Sequence, residues 1–164
     1  MNLKREIKSA DIRNLIICSA VSIVVGTLSY FFTGGLKMYY GIMIPVFSLP
    51  VSVFTVIRLI MFGVAGLATG LIIGNCDSCR KSSKINGIVL FSILTILCAF
   101  RSVLIFGFGT LLVGFILSLI ILIVNFFVMR FYVKISLISG FSMLAYFLWN
   151  IYVAFLSFCI LILN

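Results

Sequence analysis

From Gly87 to Met129 the chain runs through more than forty residues with a single charged side chain, Arg101. A helix rises 1.5 Å per residue, so about 20 residues cross the hydrocarbon core of a bilayer. The stretch is therefore two crossings joined by a turn. Gly107-Phe108-Gly109-Thr110 is the only good helix breaker near its middle, which predicts helices over 87–107 and 110–130. The apolar run from Leu15 to Phe32 predicts another over 13–33. Pro45 and Pro50 are tolerated in or before a first helical turn and introduce a helix over 46–74. A last one spans 137–163. The connections are NCDSCRKSSKIN between helices 2 and 3, and the basic segment RFYVKIS (130–136) between helices 4 and 5. The expectation is one five-helix transmembrane domain over residues 1–164, an all-α integral membrane protein. Composition agrees, with 64% hydrophobic and 9% charged residues against roughly 45–50% and about 25% in soluble domains. No small-residue cleavage pattern closes the first run before Thr33-Gly34-Gly35, so a cleaved signal peptide is not expected.

The net charge of +9 would suit nucleic acid only if the basic residues clustered on a soluble face. They sit instead in short segments between apolar runs, where they mark the cytoplasmic side and attract anionic lipid. Lys4, Arg5, Lys8, Arg13, Arg80, Lys81, Lys84, Arg130 and Lys134 fall on one side and Lys37 on the other. The bias predicts a cytoplasmic N-terminus, an external C-terminus, lipid as a partner and no nucleic acid.

Catalysis lacks its parts. There is no His, and the acids Glu6, Asp11 and Asp77 all fall outside the spans. No Ser or Cys is paired with a base, so neither acid–base nor nucleophilic chemistry is expected. The five cysteines do not form a disulfide framework. Cys76-Asp77-Ser78-Cys79 has CxxC spacing, but a second pair is missing, and no metal or cofactor is expected from it.

Two stretches carry more than hydrophobicity. One is Tyr39-x-x-Ile42-x-x-Pro45-x-Phe47-x-Leu49-Pro50-x-x-x-Phe54, continued at four-residue steps by Arg58, Phe62 and Gly66. The other is Tyr146-Phe147-Leu148-Trp149, running through Leu156 to Leu163-Asn164, with Phe106-Gly107 between the two. This pattern resembles the TspO/MBR family of translocator and tryptophan-rich sensory proteins, and it covers residues 39–164. The chain is tryptophan-poor for that family, with Trp149 alone. Phe47, Met38, Arg58 and Arg101 stand at positions where the family has Trp; Ile44, Ala145, Val153 and Ser157 stand where it has Lys, Pro, a small residue and Asn.

The resemblance implies a five-helix bundle, a homodimer in a bacterial cell membrane, and a pocket between helices beneath the 1–2 loop. Carried over residue by residue, it places Tyr39, Pro45, Phe47, Phe54, Arg58, Phe62, Arg101, Tyr146 and Trp149 at that pocket. Two cations among aromatic rings suit a flat apolar anion such as a porphyrin or other tetrapyrrole with propionate groups. The expected function is that of a membrane receptor or sensor. A transporter of an anionic amphiphile, and a structural partner with a degenerate pocket, stay open. The arginines are the most informative residues, because a cation at the middle of a span costs at least about 2.5–3.5 kcal/mol. Arg101 has snorkelling as a rival explanation, since it lies some six residues from the end of its helix. Gly63, Gly66 and Gly70 read as small residues that let helices approach.

Overall fold

The computed structural model describes residues 12–32, 43, 45, 48–74, 81–108 and 110–164. It contains five long helices: α1 (Ile12–Phe32), α2 (Val51–Gly74), α3 (Lys81–Phe108), α4 (Leu111–Ile135) and α5 (Leu137–Leu163). All five are long and apolar enough to cross a membrane. Large apolar side chains cover the outside, among them Phe31, Ile96, Ile123 and Phe141. In a bilayer these face lipid.

α2 begins at Val51, directly after Pro50, rather than at 46, because the pair of prolines keeps the entry out of the helix. Two further helix ends also differ from the sequence reading. α3 starts at Lys81 rather than near 87, and α4 runs to Ile135 rather than 130. In both cases the helix continues past the apolar run into basic residues. Lys84 donates from Nζ to the carbonyl of Ile73 at 2.7 Å, serving one of the carbonyls that the last turn of α2 leaves without a helical partner. Arg130 and Lys134 lie over the rings of Phe126 and Phe131, at 5.9 and 5.8 Å from their centroids. Long basic side chains lie along apolar surface while their charge reaches toward water, so a basic segment is a good end to a membrane helix.

A single residue separates α4 from α5. Ser136 is extended (φ −145°, ψ 128°), its N–H donates to the Tyr132 carbonyl, and its hydroxyl accepts the Ser139 N–H at 3.4 Å as the cap of α5. The reversal is tight enough that a Cβ on Gly140 would strike the Val133 side chain.

The helices pack in the cyclic order α1, α2, α5, α4, α3, with α3 returning to α1. α1 and α2 meet along a glycine seam. A Cβ at Gly66 would lie 2.7 Å from the Cys18 carbonyl oxygen and the Ser19 Cα, and one at Gly70 would lie 2.7 Å from the Leu15 Cα. Backbone meets backbone there, as small residues at membrane helix crossings allow. Gly63 is one turn away and has ordinary space, with Ile23 Cδ1 at 3.4 Å.

The core fills the middle and the end where α2 stops and α3 begins. Ala65, Ala68 and Ile72 of α2 pack with Leu94, Ile121, Val128, Tyr132 and Met143. Tyr132 places its hydroxyl 2.9 Å from Thr69 Oγ1, and Thr69 also donates to the Ala65 carbonyl. At the opposite end, the Asn164 side chain exchanges two hydrogen bonds with the backbone of Met43, at 2.8 and 3.0 Å, tying the end of α5 to the 1–2 connection.

Candidate functional site

Near that opposite end, packing gives way to a cavity of about 40 Å³ between α2, α3 and α5, with Leu111 of α4 at its edge. Phe54 and Arg58 reach it from α2, Arg101 and Ser102 from α3, and Trp149 and Ser157 from α5; Val153, Leu156 and Ile160 add apolar wall. Four of the nine residues expected at the pocket, Phe54, Arg58, Arg101 and Trp149, thus come together at one cavity.

The other five are placed differently. Phe62 and Tyr146 belong to the core, with rings edge to face at 6.0 Å and side chains almost fully buried. Phe62 shares the stripe of Phe54 and Arg58 but sits four residues beyond Arg58, about 6 Å further along the axis, beneath the cavity. The Tyr146 hydroxyl lies 3.4 Å from Cys98 Sγ. Pro45 is buried in the 1–2 connection. Tyr39 and Phe47 lie outside the described residues, as do Cys76 and Cys79.

Arg58 is the eighth residue of α2. Its Nη2 donates to Ser29 Oγ of α1 at 2.6 Å and to Ser102 Oγ of α3 at 2.7 Å. Its guanidinium carbon stands 5.8 Å from the centre of the Phe62 ring. One arginine therefore joins three helices. Ser102 in turn bonds back to the Cys98 carbonyl.

Arg101 is only 7% exposed, which rules out snorkelling to the interface. Its Nη1 is buried and has no hydrogen-bond partner among the described residues. A buried charged donor left unmade is expensive, more so than the roughly 1–3 kcal/mol of a neutral group. No Asp or Glu is found among the described residues. The acceptors that the sequence reading did not single out, Ser29 and Ser102, are hydroxyls that also bond to their own helices. Serine is common in membrane helices, so nothing in the sequence marked these two.

Beside the arginines the Phe54 and Trp149 rings lie 5.3 Å apart and tilted, with Tyr152 next to Trp149 at 5.4 Å. The arrangement joins an aromatic wall to guanidinium donors in a water-poor interior, where a charge-assisted bond to an anion is strong. Its volume accommodates a few water-sized groups, well below the roughly 300–1,000 Å³ of pockets that hold drug-sized molecules.

A five-helix membrane bundle with an aromatic and cationic cavity near one end defines a membrane binding protein rather than a soluble carrier. A sequence model of the TspO/MBR family matches residues 17–163. The chain belongs to the TspO/MBR family. A search of the curated proteins returned no match.

Proposed function

We propose that the protein is a membrane sensor whose ligand is a hydrophobic anion, held at the cavity formed by Phe54, Arg58, Arg101 and Trp149. A tetrapyrrole with propionate groups is the class that family resemblance brings. The observation that carries the reading is Arg101, a cation buried at membrane depth with a donor nitrogen left over. Such a group is costly to the empty protein and is stabilised by a carboxylate. A flat ring exceeds the cavity, so α2 and α5 part around it on binding, and the 1–2 connection moves with α5 through the Asn164–Met43 bonds. That displacement is the signal a sensor needs.

Trp149 is the sole tryptophan and lines the cavity, so its fluorescence reports occupancy. A dicarboxylic porphyrin is expected to quench it, and Arg101→Leu to weaken the porphyrin by roughly tenfold or more, the loss of one charge-assisted contact. The neutral diester should lose far less. Equal losses for acid and diester sink the proposal. The small cavity favours a second reading, a structural subunit with a closed pocket, for which neither compound alters Trp149 at any concentration.

The orientation proposed is N-terminus inside, from the basic residues at the ends of α1, α3 and α4. An impermeant thiol reagent added outside intact cells should leave Cys76 and Cys79 unlabelled; labelling reverses the topology.

A further inference from the structure

The cavity between α2, α3 and α5 has positive groups on three sides. Arg58 enters from α2 and Arg101 from α3, and Leu111, the first residue of α4, stands at the edge. Arg58 is committed to the Ser29–Arg58–Ser102 bridge. Arg101 is 7% exposed, and its Nη1 has no hydrogen-bond partner among the described residues. The first turn of α4 adds N–H groups that a helix leaves unpaired, at the positive end of its dipole. Thr110 does not cap them, since its hydroxyl and its N–H both donate back to the Leu104 carbonyl of α3. The carbonyls of the helices that end on this side are better served, Leu104 by Thr110 and Ile160 by Asn164. The balance at the cavity is positive, and no Asp or Glu is found among the described residues to offset it.

We propose that between ligands this cavity holds a small monovalent anion of halide size, chloride in an ordinary medium, as the counter-ion of Arg101. The inference rests on the reading that the arginines take an anion, and it adds what they hold while the hydrophobic ligand is away. Size and charge select the occupant. A buried water needs roughly 10–15 Å³, so a cavity of about 40 Å³ has room for about three water-sized spheres. A dehydrated halide with a water or two fits that space. Sulfate or a phosphate ester, with four oxygens around a central atom, exceeds it. Water alone would satisfy the donor but leave the charge, and burial does not strip a guanidinium of its proton. A halide answers both. It also imposes no direction on its donors, which suits a site whose walls include the apolar Ile105, Val153 and Leu156. A ligand carboxylate that reaches Arg101 then takes the place of the halide, so binding is selective for anions and sensitive to the surrounding salt.

The full chain in phosphatidylcholine nanodiscs, titrated with bromide against gluconate at constant ionic strength, tests this through Trp149, which lines the cavity. Bromide quenches indole on contact, so an ion lodged beside Trp149 should quench saturably. Chloride should reverse the quenching, and sulfate at matched ionic strength should not. Arg101→Gln keeps a polar side chain and loses the charge; it should raise the bromide needed for half-quenching roughly tenfold or more. The melting temperature in detergent should rise as chloride replaces gluconate, because the ion binds the folded state, and should not respond in Arg101→Gln. Should that variant not fold, the chloride response of the unaltered protein decides. A dicarboxylic porphyrin should reach half-quenching at higher concentration as chloride is raised, and its neutral diester should not. Quenching that grows linearly with bromide, is reversed equally by sulfate, or is unchanged in Arg101→Gln overturns the resting ion. If bromide gives no saturable quenching while the acid porphyrin still binds more tightly than the diester, the resting ion alone is wrong. Saturable bromide quenching without porphyrin binding upholds the ion and defeats the tetrapyrrole, whereas absence of both responses defeats the anion reading as well.

Discussion

Tyr132 and Arg101 are both polar side chains buried among membrane helices, and they are treated in opposite ways. The Tyr132 hydroxyl finds Thr69 at 2.9 Å, while Arg101 Nη1 finds nothing. Around Tyr132 the helices are packed against fully buried Ala65, Ala68, Ile72 and Val128; around Arg101 there is a cavity. One end of the bundle is a scaffold that satisfies itself. The other is left with unmet donors, which is where an added group gains most, because binding to the folded state stabilises it. Asn125 and Ser139 break this division: both are fully buried at the scaffold, and among the described residues neither amide atom of Asn125 nor the Ser139 hydroxyl has a partner.

Substitutions can break or sharpen the contrast. The largest effect is expected at the glycine seam of the scaffold. Gly66→Leu forces α1 from α2 against backbone atoms already 2.7 Å from the would-be Cβ and should cost roughly 3 kcal/mol or more, read as a lowered melting temperature in detergent. Gly63→Ala, on the same helix, should change it little. If both are tolerated alike, the seam is not what holds α1 in place.

A smaller loss is expected at the paired tyrosine. Thr69→Val leaves the Tyr132 hydroxyl buried without its partner and should cost about 1–3 kcal/mol, most of it recovered in the double variant with Tyr132→Phe, where neither group remains. Additive losses in that cycle would mean that packing, not the hydrogen bond, matters there. Asn125→Leu should go the other way and stabilise by about 1 kcal/mol, since it removes an amide that is buried unpaired and replaces it with a side chain of similar size. A destabilised variant would show that Asn125 has a partner the scaffold depends on.

The five crossings were legible because run length is dictated by bilayer thickness, and a break had to fall near Gly107 to Thr110: α3 ends at Phe108 and α4 begins at Leu111. The ends of α3 and α4 were not, because lysine and arginine are good helix formers that hydropathy counts as loop; Lys84 and Lys134 belong to helices for that reason. Within the site the arginines stood out, a charge in an apolar run having no cheap explanation. Phe62 and Tyr146 were read as pocket residues from their stripe and their family positions, yet depth along the axis decides whether a ring meets the cavity or the core beneath it. Linear periodicity carries the face but not the depth of a void. Ser29 and Ser102 were illegible because their role depends on which helices are neighbours, and the ring order α1, α2, α5, α4, α3 is a tertiary fact.

That ring order also has a bearing on biogenesis. Consecutive helices α1 and α2 form one hairpin, and α3, α4 and α5 form a meander; the two are joined laterally along α2–α5 and α1–α3. Arg58 rides on the hairpin and Arg101 on the meander, so neither cavity nor bridge exists until the two insert and dock. In the interval Arg58 already has one acceptor, Ser29, from its own hairpin, and docking brings the second, Ser102, from the meander. The arginine is thus bonded within its own hairpin and serves as the clasp between the two parts.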